Sequence, residues 1–194
     1  MLRLVAFLGN PRRQYADTRH NIAWKLADEL PFRTELSWRE KFNGLAADWK
    51  GPNVSTTLLC PQTYMNRSGD SVAAAARFYK LEVGELLVVH DDLELPFGTL
   101  ALKHGGGLGG HNGLTSLKQR LGSAAFWRFR LGIGRPARGS VSSYVLSRFD
   151  DAEAAELPRF LDDAARYLER VIREGPERYT EELQKRRILR PDSS

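Results

Sequence analysis

Two short apolar runs constrain the fold more than any other feature of the chain. Leu2 to Leu8 is almost wholly apolar and closes on Gly9-Asn10-Pro11, and Glu85 to His90 contains LLVVH, a β-branched run. Their length, residue types and closing turns read as buried strands, the second a central one. Segments of helical period alternate with them. Thr18 to Leu30 has Ile22, Ala23, Leu26, Ala27 and Leu30 at helical spacing, Ser68 to Tyr79 has Ser68 as its N-cap, and Leu114 to Leu121 is stopped by Gly122. Such alternation argues for one α/β domain. Leu45 to Lys50 and Val54 to Cys60 flank Gly51-Pro52-Asn53 as a hairpin, and Thr99 to Lys103 and Phe126 to Ile133 read as further strands. The hairpin and the short 99–103 strand make the expected sheet mixed, not purely parallel. A helical region begins at about residue 150, where Asp150 caps an amphipathic helix with Leu157, Leu161, Ala164, Leu168 and Ile172 on its apolar stripe. Pro158 either kinks this helix or marks its true start. Gly175-Pro176 ends it, a shorter charged helix runs to about Arg187, and Pro191 to Ser194 is expected to be frayed.

Charge narrows the choice of partner. The 194 residues carry a net +5, with 20 Lys/Arg against 13 Asp/Glu over residues 1–150 and 9 against 11 over residues 151–194. A basic body fits a polyanionic partner, most commonly nucleic acid, and fits equally a basic enzyme with a solvated surface. No apolar run approaches the roughly 20 residues of a membrane span. MLRLVAFLGNP is too short and too strand-like for a signal peptide, so the expected compartment is the cytoplasm. The one cysteine, Cys60, excludes an internal disulfide framework and a multi-cysteine zinc site.

The candidates for chemistry lie around the histidines. A histidine in isolation is most often structural or simply exposed. Here His20 stands in TRHN at a helix start, His90-Asp91-Asp92 at the carboxyl end of the central strand, and His111-Asn112 after a glycine-rich turn, while His104 has no such setting. Ligands of open α/β sheets bind outside the carboxyl ends of the strands. Asn10, Asp91 and Asn112 can therefore reach one crevice with His20. A histidine beside a buried aspartate is a general-base pair able to activate water. Asn66, in TYMNRSG, is either a turn residue or a recognition residue whose amide both donates and accepts. Cys60 reads as core and not as a nucleophile. Gly105 to Gly110 matches G-x-G-x-x-G formally, but Phe126 to Arg130 stands where an acidic residue should hold a ribose. That turn is either empty or presents N–H groups to a phosphate. His90, Asp91, Asp92 and His111 are also types that ligate zinc or manganese, although no tight H-x-x-x-H spacing occurs.

In order along the chain, LVAFLGNPRRQYADTRHN, KFNG, PQTYMNRSG, VVHDDLELPFG, GGLGGHNGL and FRLGIGRP resemble the bacterial-type peptidyl-tRNA hydrolase family. The resemblance spans nearly the whole chain. It implies a monomeric enzyme, one domain over residues 1–194, with a twisted mixed sheet surrounded by helices. The implied reaction is cleavage of the ester between a peptide and the 3′-terminal ribose of tRNA, without metal or cofactor. The implied partner is the acceptor stem and 3′ end of peptidyl-tRNA. By position, His20 resembles the catalytic base and Asp91 its orienting carboxylate. Asn10, Asn66 and Asn112 resemble the residues that hold the peptide, and Tyr15 the residue lining the crevice near the terminal nucleotide. Lys103 and Arg130 resemble tRNA backbone contacts, and the helix after Asp150 a lid beside the groove. The chain departs from the family pattern at Ala23 (usually glycine), Asp92 (usually glutamate) and Cys60 (commonly lysine). A non-catalytic RNA-binding protein on the same scaffold and a metal-dependent hydrolase are the competing classes.

Overall fold

The computed structural model describes residues 1–51 and 54–189; Pro52-Asn53 of the expected hairpin turn and the expected frayed end at Pro191 to Ser194 lie outside them. The elements in chain order are β1 (Leu4–Phe7), α1 (Ile22–Asp28), β2 (Arg39–Lys41), β3 (Gly44–Gly51), β4 (Val54–Pro61), α2 (Ser68–Tyr79), β5 (Leu86–Asp92), β6 (Thr99–His104), α3 (Asn112–Leu121), β7 (Trp127–Gly132), α4 (Val141–Val145), α5 (Asp151–Glu174) and β8 (Arg186–Arg187). The strands form one sheet in the order β2-β3-β4-β1-β5-β7-β6-β8. Its centre, β4-β1-β5-β7, is parallel, and both flanks are antiparallel. The α/β class and the mixed sheet are as the sequence indicated.

β1 and β5 lack polar alternation because both of their faces are covered. Val5 and Phe7 of β1 join a core with Ile22 and Leu26 of α1 and with Leu168 and Ile172 of α5. Leu4 and Ala6 join the opposite core, with Val72 and Ala75 of α2 and Leu114 and Leu117 of α3. β5 divides the same way, Leu87 and Val89 against Leu86 and Val88. Along β1 and β5, polar side chains are therefore confined to the carboxyl ends. β1 and β5 run parallel with Phe7 opposite Val89, so Asn10 and Asp91 leave the sheet at the same edge.

Several boundaries differ from those the sequence suggests. The helix expected from Thr18 contracts to α1, preceded by a 3-10 turn at Arg19–Asn21. Ser68 does not cap α2. A 3-10 turn at Met65–Arg67 precedes that helix, and Ser68 Oγ donates to the Met65 carbonyl at 2.9 Å. Pro158 neither starts nor interrupts α5, which begins at its Asp150 cap and continues through it. The charged helix expected after Gly175 is only a 3-10 turn, Pro176–Tyr179, before β8 pairs with β6. β2 and α4 are too short to show a period, and neither is legible in the sequence.

Helices α2 and α3 touch at Gly69, whose N–H donates to Ser116 Oγ at 3.0 Å. A Cβ at position 69 would lie 2.2 Å from the Ser116 carbonyl oxygen, so only glycine fits. Gly69→Ala is expected to destabilise the fold by about 1–3 kcal/mol through overpacking. The urea midpoint should fall with an unchanged slope; an unchanged midpoint would show that the two helices separate without cost.

Candidate active site

Asp91 is the centre of the site. It is 1% exposed at the end of β5, and its carboxylate faces two imidazoles. His20 Nδ1 lies 2.8 Å and 2.9 Å from its two oxygens, and His111 Nε2 lies 3.0 Å from Oδ1. An ionised carboxylate only accepts, so both ring nitrogens donate to it. For His111 a second bond fixes the tautomer independently. Its Nδ1 accepts the Gly113 N–H at 3.1 Å, capping α3, and so the ring proton is on Nε2. For His20 the consequence is that Nε2 carries the lone pair. That atom has no hydrogen-bond partner among the described residues and is not sealed from solvent.

The ionisation of the group follows from the same contacts. Burial raises the Asp91 carboxyl pKa, but the charges and hydrogen bonds of His20 and His111 hold it well below the usual carboxylate range. Burial disfavours the His20 imidazolium, and the charge and hydrogen bond of Asp91 outweigh it, leaving that pKa above the ordinary histidine value. His90 behaves differently. Its Nδ1 donates to the Asp91 carbonyl at 2.7 Å, while burial and nearby His111 push its pKa down to about 3, so it stays neutral.

His20 stands between two adjoining clefts. One, about 390 Å³, is lined by Leu108 to Asn112 of the glycine-rich turn, by Asp91 to Glu94 and by α4. The other, about 380 Å³, is lined by Asn10, Tyr15, Tyr64, Asn66, Asn112 and the end of α4. His20, Asn112, Ser142 and Val145 border both. Thus His20, Asp91, Asn10, Tyr15, Asn66 and Asn112, scattered through the sequence, come together at one groove. Gly9 helps to place Asn10, because a Cβ there would lie 2.6 Å from the Trp24 indole, whose Nε1 donates to the Phe7 carbonyl. Asn10 Oδ1 accepts the Met65 N–H at 2.7 Å, leaving its amide NH₂ as the group available for other partners. Asn66 and Asn112 are exposed.

Lys103 and Arg130 lie outside both clefts. Lys103 is exposed beside Gly106, and Arg130 donates from Nε to Asp92 at 2.7 Å, with its side chain 15% exposed. Cys60 is a buried thiol in β4, and burial pushes its pKa up, in keeping with a core role.

Three supports escaped the reading of the sequence. Asn21 braces the Asn10 backbone, accepting its N–H and donating to its carbonyl, both at 2.9 Å. Buried Arg128 donates to the carbonyls of Gly105 and Gly107, tying down the glycine-rich turn. His111, considered in the sequence as a metal ligand, is a second donor to Asp91. Asparagine after His20 and arginine two residues before Arg130 are visible in the sequence, but only tertiary contact assigns them these partners.

The alternative metal set of His90, Asp91, Asp92 and His111 is not the group that converges. Among the described residues His20, Asp91 and His111 bring their ligand atoms within 4.8 Å of one another. Ligation through His111 Nε2 would require that nitrogen to lose its proton while Nδ1 keeps accepting from Gly113. The hydrogen bonds therefore fit proton donation to Asp91 better than coordination.

A family model described as "Peptidyl-tRNA hydrolase" matches residues 4–190. A peptidyl-tRNA hydrolase of Geotalea uraniireducens is 50% identical over 177 residues, covering 90% of this chain and 92% of its own. One from Treponema pallidum is 52% identical over 163 residues, covering 81% of each. The crystal structure of peptidyl-tRNA hydrolase from Acinetobacter baumannii superposes with a TM-score of 0.82 at 33% identity, over 92% of both chains.

Proposed function

This chain belongs to the peptidyl-tRNA hydrolase family, and from that premise we propose that its hydrolase activity is carried by the His20–Asp91 pair acting on water. The family's activity is hydrolysis of the ester that joins peptide to tRNA. The observation that carries the reading is the tautomer of His20: Asp91 occupies Nδ1–H and leaves the Nε2 lone pair at the groove. Nε2 removes a proton from water, and the resulting hydroxide attacks the ester carbonyl carbon. The tetrahedral intermediate then collapses with cleavage of the bond to the 3′-terminal ribose oxygen, which takes the proton back from the imidazolium. The products are a peptide carboxylic acid, which loses its proton to solvent, and a free tRNA hydroxyl, so that the tRNA of prematurely released peptidyl-tRNA returns to use. A donor around Asn112 holds the oxyanion, a contact worth on the order of 3 kcal/mol. Asn10, Asn66 and Asn112 hydrogen-bond a peptide unit that free aminoacyl-tRNA lacks, and Tyr15 lines the groove near the terminal nucleotide. The working form is a cytoplasmic monomer that uses no metal and no cofactor.

Cleavage of an N-blocked aminoacyl-tRNA, with the free aminoacyl-tRNA spared and a chelator without effect, is the expected result. No cleavage would favour a non-catalytic RNA-binding protein, and loss of activity with chelator a metal-dependent enzyme.

In the same proposal, tRNA binding is driven by phosphate contacts at Lys103 and Arg130. Lys103→Ala should weaken binding of all tRNAs alike and reduce the slope of log K against log salt by about one contact. Altered peptide preference with an unchanged slope would remove Lys103 from the RNA surface.

A further inference from the structure

Arg19 immediately precedes His20, yet it lines neither cleft. Its side chain is 6% exposed and reaches across the fold to the start of α5. Nη1 donates to Glu153 Oε1 at 2.8 Å, and Nη2 meets the other carboxylate oxygen, a two-pronged pairing. The guanidinium lies over the Tyr144 ring at 4.3 Å and the Phe149 ring at 5.0 Å. The backbone makes the same connection, with Arg19 N–H donating to the Ser147 carbonyl at 2.9 Å and a β-bridge joining Thr18 to Arg148. Glu153 Oε2 also accepts the Asp150 N–H at 3.0 Å, so one carboxylate both closes the capping box of α5 and receives Arg19.

The turn carrying His20 is thus strapped, by main chain and side chain, to the segment that runs from α4 into α5, and α4 is the wall of the groove. A buried ion pair is an expensive way to gain stability, since apolar side chains of similar volume often serve as well. What the guanidinium fork supplies beyond that is direction. We propose that Arg19 is a positioning residue for His20, and that its pairing with Glu153 holds the base and the groove wall in one fixed relation. This rests on His20 being the base.

Glu153→Gln keeps a helix-capping side chain and nearly the same shape while removing the charge. Arg19→Lys keeps the charge while losing the fork and the stacking. If the pair aims the base, each variant lowers single-turnover kcat by about 10–100-fold, as expected for a displacement on the ångström scale, with KM within about threefold. The double variant should fall little below the worse single one, because both remove the same device. Thermal melts run alongside set a temperature at which every variant is folded. Wild-type kcat in the folded variants, or a change confined to KM, would overturn the proposal and leave the pair a purely structural element. His20→Ala in the same assay separates the two levels, since its retained turnover would instead remove the premise.

Discussion

Replacing His20 with alanine is expected to lower kcat by about 10²–10⁴-fold, the usual worth of a general base in place, while tRNA binding stays near its wild-type strength. The asymmetry follows from the site. His20 borders the groove with a ring nitrogen that has no hydrogen-bond partner among the described residues, whereas the proposed phosphate contacts lie outside both clefts. The variant should fold, because Asp91 keeps its second donor in His111 and so does not become a buried charge without a partner. Single-turnover hydrolysis of an N-blocked aminoacyl-tRNA, with binding measured in parallel, tests this. Near-normal turnover would end the assignment of His20 as base.

Asp91→Asn should lower kcat comparably, by about 10²–10⁴-fold, through the tautomer and not through shape. An asparagine has one accepting oxygen. His111 must keep its Nε2 proton, because its Nδ1 is committed to Gly113. The new amide NH₂ then competes for His20 Nδ1, and the His20 proton shifts to Nε2, where it blocks the base. The pH profile gives a second signature. Catalysis needs neutral His20, so wild-type activity falls as pH drops through the His20 pKa, which Asp91 keeps above the ordinary value of about 6.5. Without the carboxylate, burial alone acts on the ring and lowers its pKa, so the acid limb of the residual activity should move to lower pH. A limb that stays in place would mean that it reports some other group.

The sequence disclosed those parts of the molecule whose signals are local. β1 and β5 were legible because strands covered on both faces must be apolar throughout, and α3 because Gly122 stops it with a positive φ of 75°. His20 and Asp91 were legible as a pair through their motifs and the position of Asp91 at a strand end. The remaining elements depend on distant partners. β2 is three exposed charged residues, Arg39 to Lys41, and is a strand only because β3 offers an edge. Ser68 looks like a cap until the preceding 3-10 turn takes up its hydroxyl. The Arg19–Glu153 pair joins residues 134 positions apart, and no periodicity encodes such a contact. His111 was ambiguous for a related reason: only the Gly113 N–H on one nitrogen and Asp91 on the other show which way its proton faces.

The lone thiol of Cys60 opens an experimental route. Sealed inside β4 and resistant to ionisation, it leaves native protein with little background toward maleimide reagents. A fluorophore attached through Leu146→Cys, at an exposed position beside α4, would then report from that single place. Changes in its emission on adding tRNA would reveal, in real time and without any chemical turnover, whether the border of the groove shifts when substrate arrives.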